Sequence, residues 1–175
     1  MSAAEFSLIV TLADAAHGRA ISVEADEAAR GRIAERLGLV ALDRFALVAD
    51  VRPIAGGMAA RGRVEAAAVQ ACAATDLPVP TRITEAFDLR FLRDVDAPAS
   101  EEDEIEIASD DLDLLPLDGD RIDLGEAAVQ TLSLALDPFP RHPDAARILA
   151  EKGVLSEEAA GPFAALAKLR GTPGA

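Results

Sequence analysis

The sequence predicts an α+β fold: a curled antiparallel sheet of about five to seven strands, with a central capped helix packed on it and short C-terminal helices. The same strand count also allows a partly open barrel. Three observations carry this expectation. Three consecutive stretches with a two-residue apolar period are joined by turns and not by helices, the pattern of an antiparallel meander. Residues 121–143, RIDLGEAAVQTLSLALDPFPRHP, read as a strand end, a capped apolar helix and a proline stop. Half of the 175 residues are apolar, enough for one buried core. One domain is expected over residues 1–155, with an acidic loop at 94–111 and a C-terminal tail with a short helix at 156–175.

Taken in order, residues 6–12 alternate Phe6, Leu8, Val10 and Leu12 on one face and predict a first strand. Ala20 to Val23 predicts a short second one. The period then lengthens. Asp26 can cap a helix whose apolar stripe is Ala29, Ile33 and Leu37, with Gly38 as its stop. Arg44 to Val51 alternates again, with Phe45, Leu47, Ala49 and Val51 inward. Pro53 to Gly57 is a turn. Met58 to Ala71 puts Arg61, Arg63 and Glu65 on one face and Gly62, Val64 and Ala66 on the other. Arg82 to Leu92 is the clearest strand, with Ile83, Glu85, Phe87, Leu89 and Phe91 against Arg82, Thr84, Asp88 and Arg90.

Ile105 and Ile107 predict a short strand after the acidic loop. Leu112, Leu114 and Leu117 lead to Asp118-Gly119, a tight turn, from which Ile122 enters the central helix. Asp123 is its expected N-cap, with Glu126 closing an acidic capping box. Leu124, Ala128, Leu132 and Ala135 form the buried stripe, widened by Ala127, Leu134 and Leu136. Asp137 precedes Pro138 and so leaves the helical region. Asp144 can cap a further helix to Lys152, and Pro162 can open a last one.

Charge is unevenly spread. Residues 1–93 hold 12 acids and 11 bases, residues 94–126 hold 14 acids and one base, and residues 127–175 hold five of each. The net charge of −14 therefore lies almost wholly in one segment. Such a run is usually a solvated face, and the sharper reading is a docking surface for a basic partner. Its candidate residues are Glu104, Asp110, Asp111, Asp113, Asp118 and Asp120. A second candidate surface is positive. Arg44, Arg52, Arg61, Arg63, Arg82 and Arg90 fall opposite the apolar stripes and would share one outer sheet face, suited to phosphate contacts. Asp50, Glu65 and Asp88 dilute it. With six Phe and no Trp or Tyr, a base-stacking platform is not expected.

Little else points to chemistry. The acidic cluster lacks the EF-hand spacing, and a magnesium-dependent hydrolase site there is a minor alternative. His17 and His142 stand in no nucleophile motif, and no phosphate-binding or dinucleotide glycine fingerprint occurs. Cys72, the single cysteine, can form no intrachain disulfide and reads as a small buried residue. No stretch approaches 18 apolar residues, and the N-terminus has no basic n-region, so neither a membrane span nor a secretory signal is expected. No catalytic residue, metal or cofactor is assigned, and no small-molecule substrate is expected.

Three stretches share a resemblance: VEAAAVQACAATDLPV (64–79), DGDRIDLGEAAVQTLSLALDPFPRHPDA (118–145) and PFAALAKLRG (162–171). Together they resemble the bacterial YceD family, the large ribosomal RNA subunit accumulation protein, in its alphaproteobacterial form. The motif positions are Cys72, Asp123, Leu124, Gly125, Glu126, Leu132, Leu136, Pro138, Pro140 and Arg141. The resemblance implies a cytoplasmic, non-enzymatic ribosome-biogenesis factor that supports accumulation of large-subunit ribosomal RNA. It also implies two partners, that RNA or its precursor and a basic large-subunit ribosomal protein. Many family members carry a C-x-x-C pair where this chain has Cys72-Ala73-Ala74-Thr75, so a metal or redox role in those members does not carry over. A metal-dependent RNA-processing hydrolase and a structural adaptor without RNA contact are the alternatives.

Overall fold

The computed structural model describes residues 6–93 and 113–154. In chain order the elements are β1 (Ile9–Thr11), α1 (Leu12–Ala15), β2 (Arg19–Glu24), α2 (Glu27–Leu37), β3 (Ala41–Ile54), β4 (Gly57–Ala71), β5 (Pro78–Leu92), β6 (Asp113–Pro116), β7 (Arg121–Asp123), α3 (Leu124–Ala135) and α4 (Ala145–Glu151). Contacts divide the chain into two compact units, Met1–Gln70 with Pro80–Asp137, and Ala71–Val79 with Pro138–Ala175.

The first unit carries the sheet and the core. Five strands pair in the order β2-β3-β4-β5-β6, and β1 pairs with β7 in a separate two-stranded ribbon. The meander β3-β4-β5 forms as the alternation predicts. Two features correct the expected antiparallel sheet and its barrel variant. β6 pairs with β5 in parallel, Leu89 opposite Asp113 and Phe91 opposite Leu115, so the sheet is mixed. The strand order is linear and the sheet is not closed. The parallel pairing arises because β6 returns after a long connection and not after a hairpin.

One face of the sheet is apolar. Phe45, Leu47, Ala49 and Val51 of β3, Met58, Ala60 and Val64 of β4, and Phe87, Leu89 and Phe91 of β5 are all buried. Two helices lie in the same core. α2 starts where Asp26 accepts from the Ala29 N–H at 2.7 Å, ends on left-handed Gly38, and buries Ala29, Ile33 and Ala34. α3 buries Leu124, Ala127, Ala128, Val129 and Leu132. Each large aliphatic in that set contributes about 1.5–3 kcal/mol on burial. Leu134 does not widen the stripe as expected. It lies two residues past Leu132, about 200° round the helix, and is 87% exposed.

The N-terminal strand is shorter than its alternation predicts. Leu12 opens α1 because Thr11 and Asp14 cap each other, with Thr11 Oγ1 taking the Asp14 N–H at 3.1 Å and Asp14 Oδ2 taking the Thr11 N–H at 3.0 Å. That bond also holds the Asp14 carboxyl below its ordinary value. α4 forms as expected, but Asp144 makes no side-chain cap bond to it. The strand expected at Ile105 and Ile107, the acidic loop at 94–111 and the helix after Pro162 lie outside the described residues.

Candidate nucleic-acid interface

The six arginines are all exposed, and strand alternation sets them on the sheet face opposite the core. The register orders them in rows across the strands. Arg52 of β3 stands opposite Ala59 of β4, Asp50 opposite Arg61, Val48 opposite Arg63 and Arg44 opposite Ala67. A bulge between Leu42 and Arg44 sets the last of these. Arg82 and Arg90 lie on β5, out of phase with buried Phe87, Leu89 and Phe91.

The face is not uniformly positive. Arg44 donates to Glu65 at 2.8 Å and sits 3.6 Å from Glu24. Arg63 donates to the other oxygen of Glu65 at 3.0 Å. Those two bonds, Arg63 first, hold the Glu65 carboxyl below its ordinary range, and Glu65 in turn raises the Arg44 pKa. Arg61 is bound by Asp88. Among the described residues, Arg52, Arg82 and Arg90 have no acidic partner. A groove of about 580 Å³ opens at the β3–β4 turn, lined by Arg52, Ile54, Ala59, Arg61, Asp88 and Arg90. Buried phenylalanines Phe45, Phe87 and Phe91 all face the core, so this groove offers charge without a stacking ring. Sequence alternation found the arginines. It did not find that Glu65 neutralises two of them, or that Ala59 separates Arg52 from Arg90. Those facts need the strand register.

The acidic candidates fall partly outside the described residues. Glu104, Asp110 and Asp111 lie outside the described residues, and Asp113 opens β6. Asp118 and Asp120 are exposed in the turn before β7, where Asp118 sits 3.4 Å from Arg121.

Several of the motif residues over 123–141 make hydrogen bonds or are buried. Asp123 Oδ1 accepts from the N–H groups of Leu8, Gly125 and Glu126 at 2.9, 3.0 and 3.1 Å, and Oδ2 accepts from Ser7 Oγ at 2.7 Å. One carboxylate thus caps α3 and pins the segment leading into β1. Leu124 and Leu132 are fully buried. Gly125 admits close approach, since a Cβ there would lie 2.2 Å from the Phe6 carbonyl oxygen. Glu126 does not close a capping box. It forms a two-pronged pair with Arg36 of α2, both contacts 2.7 Å, and this lowers its pKa. Leu136 ends the helix in an extended conformation, Pro138 and Arg141 are exposed, and Pro140 is buried.

The second unit holds Cys72, one residue past β4 and fully buried. Its thiol accepts from the His142 N–H at 3.3 Å, and the Ala73 N–H bonds the Pro140 carbonyl at 2.8 Å. The donor at His142 holds the Cys72 pKa down at about 7.

A family model described as "Large ribosomal RNA subunit accumulation protein YceD" matches residues 60–170. The chain belongs to the YceD family. The match takes in β4 from Ala60 on, β5, the Asp123 to Arg141 motif and the Cys72 turn, and so includes four of the six arginines. No curated protein and no solved structure matches the chain. Membership ties the protein to ribosome biogenesis and large-subunit ribosomal RNA accumulation. No helix of the described residues is long and apolar enough to cross a membrane.

Proposed function

We propose that the protein is a non-enzymatic assembly factor that holds large-subunit ribosomal RNA, or its precursor, by phosphates laid on the outer sheet face. It would act in the cytoplasm, where that RNA is assembled. The observation that supports this most is the set Arg52, Arg82 and Arg90, exposed arginines without acidic partners among the described residues, in a family described by RNA accumulation. Arg44, Arg61 and Arg63 are already matched by carboxylates and contribute less. Arginine without aromatics favours phosphate contacts over base reading, so binding is tolerant of sequence and steep in salt.

The test is binding of a large-subunit RNA fragment between 50 and 200 mM salt. Replacing Arg52, Arg82 and Arg90 by alanine is expected to reduce the slope of log affinity against log salt by about 2–3, roughly one per lost contact. An unchanged affinity and slope would remove the RNA-binding role. The acidic segment at 94–126 supports a second contact, with a basic large-subunit ribosomal protein, through Glu104, Asp110, Asp111, Asp113, Asp118 and Asp120. Neutralising Asp110, Asp111 and Asp113 is expected to weaken that contact at moderate salt. Magnesium-dependent RNA cleavage that a chelator abolishes would favour the hydrolase alternative instead.

A further inference from the structure

We infer that Arg52 and Arg90 form a two-armed seat for one phosphodiester of an RNA backbone, placed over Ala59. The inference rests on the RNA-binding reading and narrows it to one group and one position.

The placement follows from strand register. Arg52 pairs with Ala59 across β3 and β4. On the other side, Arg61 of β4 meets Asp88 of β5, and a Cβ on Gly57 would run into the backbone of Phe91 and Leu92. The Arg93 N–H also bonds the Gly56 carbonyl at 3.2 Å. These contacts make β4 and β5 antiparallel and set Ala59 beside Arg90. The row across the sheet is therefore Arg52, Ala59, Arg90. Strands lie about 4.8 Å apart, so the two arginine backbones stand roughly 10 Å from each other with only a methyl group between them. Flexible stems let both guanidinium forks lean inward over that methyl.

The rows on either side confine the ligand. One is Asp50, Arg61, Asp88, in which Arg61 is already bound and two carboxylates repel an anion that slides inward. On the other side, towards the β3–β4 turn, Ile54 and Leu92 line the groove with apolar surface. An anion has one place to sit, between two unpaired arginines, and whatever carbon framework it carries rests on Ile54 and Leu92. A phosphodiester with its ribose has that character: one delocalised charge for two forks, and an adjoining less polar ring. Free inorganic phosphate has the charge but nothing for the apolar end.

The experiment is an NMR titration of the full chain with tetrauridylate and, separately, with inorganic phosphate. Amide signals of Ala59 and side-chain Nε–H signals of all arginines are followed. Tetrauridylate is expected to shift Ala59, Arg52 and Arg90 ahead of Arg44 and Arg63, and to bind at least tenfold tighter than inorganic phosphate. The double variant R52A/R90A, and Ala59→Leu, which fills the seat without changing charge, should each weaken tetrauridylate at least tenfold. R121A, on β7 and not among the residues lining the groove, should change it less than twofold. Far-UV circular dichroism confirms that each variant is folded. Tetrauridylate binding that leaves Ala59 unshifted, or that survives both variants, overturns the seat. So does inorganic phosphate binding as tightly as tetrauridylate. If the seat titrates as described but R52A/R90A binds the long RNA fragment undiminished, the seat stands and the broader RNA-face reading fails. If the long fragment binds through the face with no response at Ala59, the reading stands and the seat is overturned.

Discussion

Replacing Asp123 by alanine removes a single carboxylate that serves four donors. Its Oδ1 takes the N–H groups of Gly125 and Glu126 at the start of α3 and of Leu8 ahead of β1, and its Oδ2 takes the Ser7 hydroxyl. Loss of an N-cap costs about 1 kcal/mol. The part-buried Leu8 bond to a charged acceptor adds about 1.5–3 kcal/mol. The Ser7 bond is exposed and adds little. The bonds to Oδ1 share one atom and are not strictly additive, so the expected total is about 2–4 kcal/mol. Asp123→Asn keeps an acceptor oxygen in place and should cost about 1 kcal/mol. The chain has no Trp, so urea unfolding is followed by far-UV circular dichroism. With a slope near 2 kcal/mol/M, the alanine variant should lose roughly 1–2 M in midpoint. A shift below about 0.3 M, or an Asn variant as damaged as the Ala variant, would refute the view that this carboxylate ties α3 to the N-terminal segment.

Two further predictions concern Gly125 and Cys72. Gly125→Ala ordinarily gains up to about 1 kcal/mol in a helix, but here the new Cβ meets the Phe6 carbonyl oxygen at 2.2 Å and the Leu8 nitrogen at 2.9 Å. Overpacking against backbone costs about 1–3 kcal/mol, so a net loss is expected, and a variant more stable than the parent in urea would contradict it. Cys72 has its thiol pKa lowered to about 7 by the His142 N–H, against about 8.5 in an unfolded chain. A depressed acid stabilises the fold fully above the unfolded value and loses that contribution as pH falls through the folded one. The stability gap between the parent and Cys72→Ala should therefore widen from pH 6.5 to pH 9, and a gap independent of pH would sink the assignment.

The parts of the fold visible in the sequence are those set by local rules. Asp26 and Gly38 mark the ends of α2, Asp123 marks the start of α3, and period-two alternation exposes β4 and β5, because caps and alternation act over a few residues. What stayed hidden depends on distant partners. Glu126 looks like a capping-box residue from its spacing, yet Arg36, 90 positions away, offers a two-pronged partner that a backbone N–H cannot match. β6 gives no sign of its parallel pairing, which is decided by where the chain re-enters the sheet. Leu134 counts as apolar in any pattern but falls on the wrong side of α3. The arginine face was legible as a list of residues. Its working form was not, since Glu65, Asp88 and Ala59 decide which guanidinium groups stay unmatched, and only the pairing register brings them together.

The central claim is that this protein holds large-subunit RNA through its unmatched arginines. Its most direct test is a sucrose-gradient profile of cells in which the chain is deleted and restored as the parent or with Arg52, Arg82 and Arg90 changed to Glu, with the protein detected across the gradient. The account predicts a shortage of large subunits in the deletion strain, recovery with the parent protein found near large-subunit precursors, and no recovery with the charge-reversed protein found only at the top. A normal profile without the protein, or full recovery with the charge-reversed form, would contradict it.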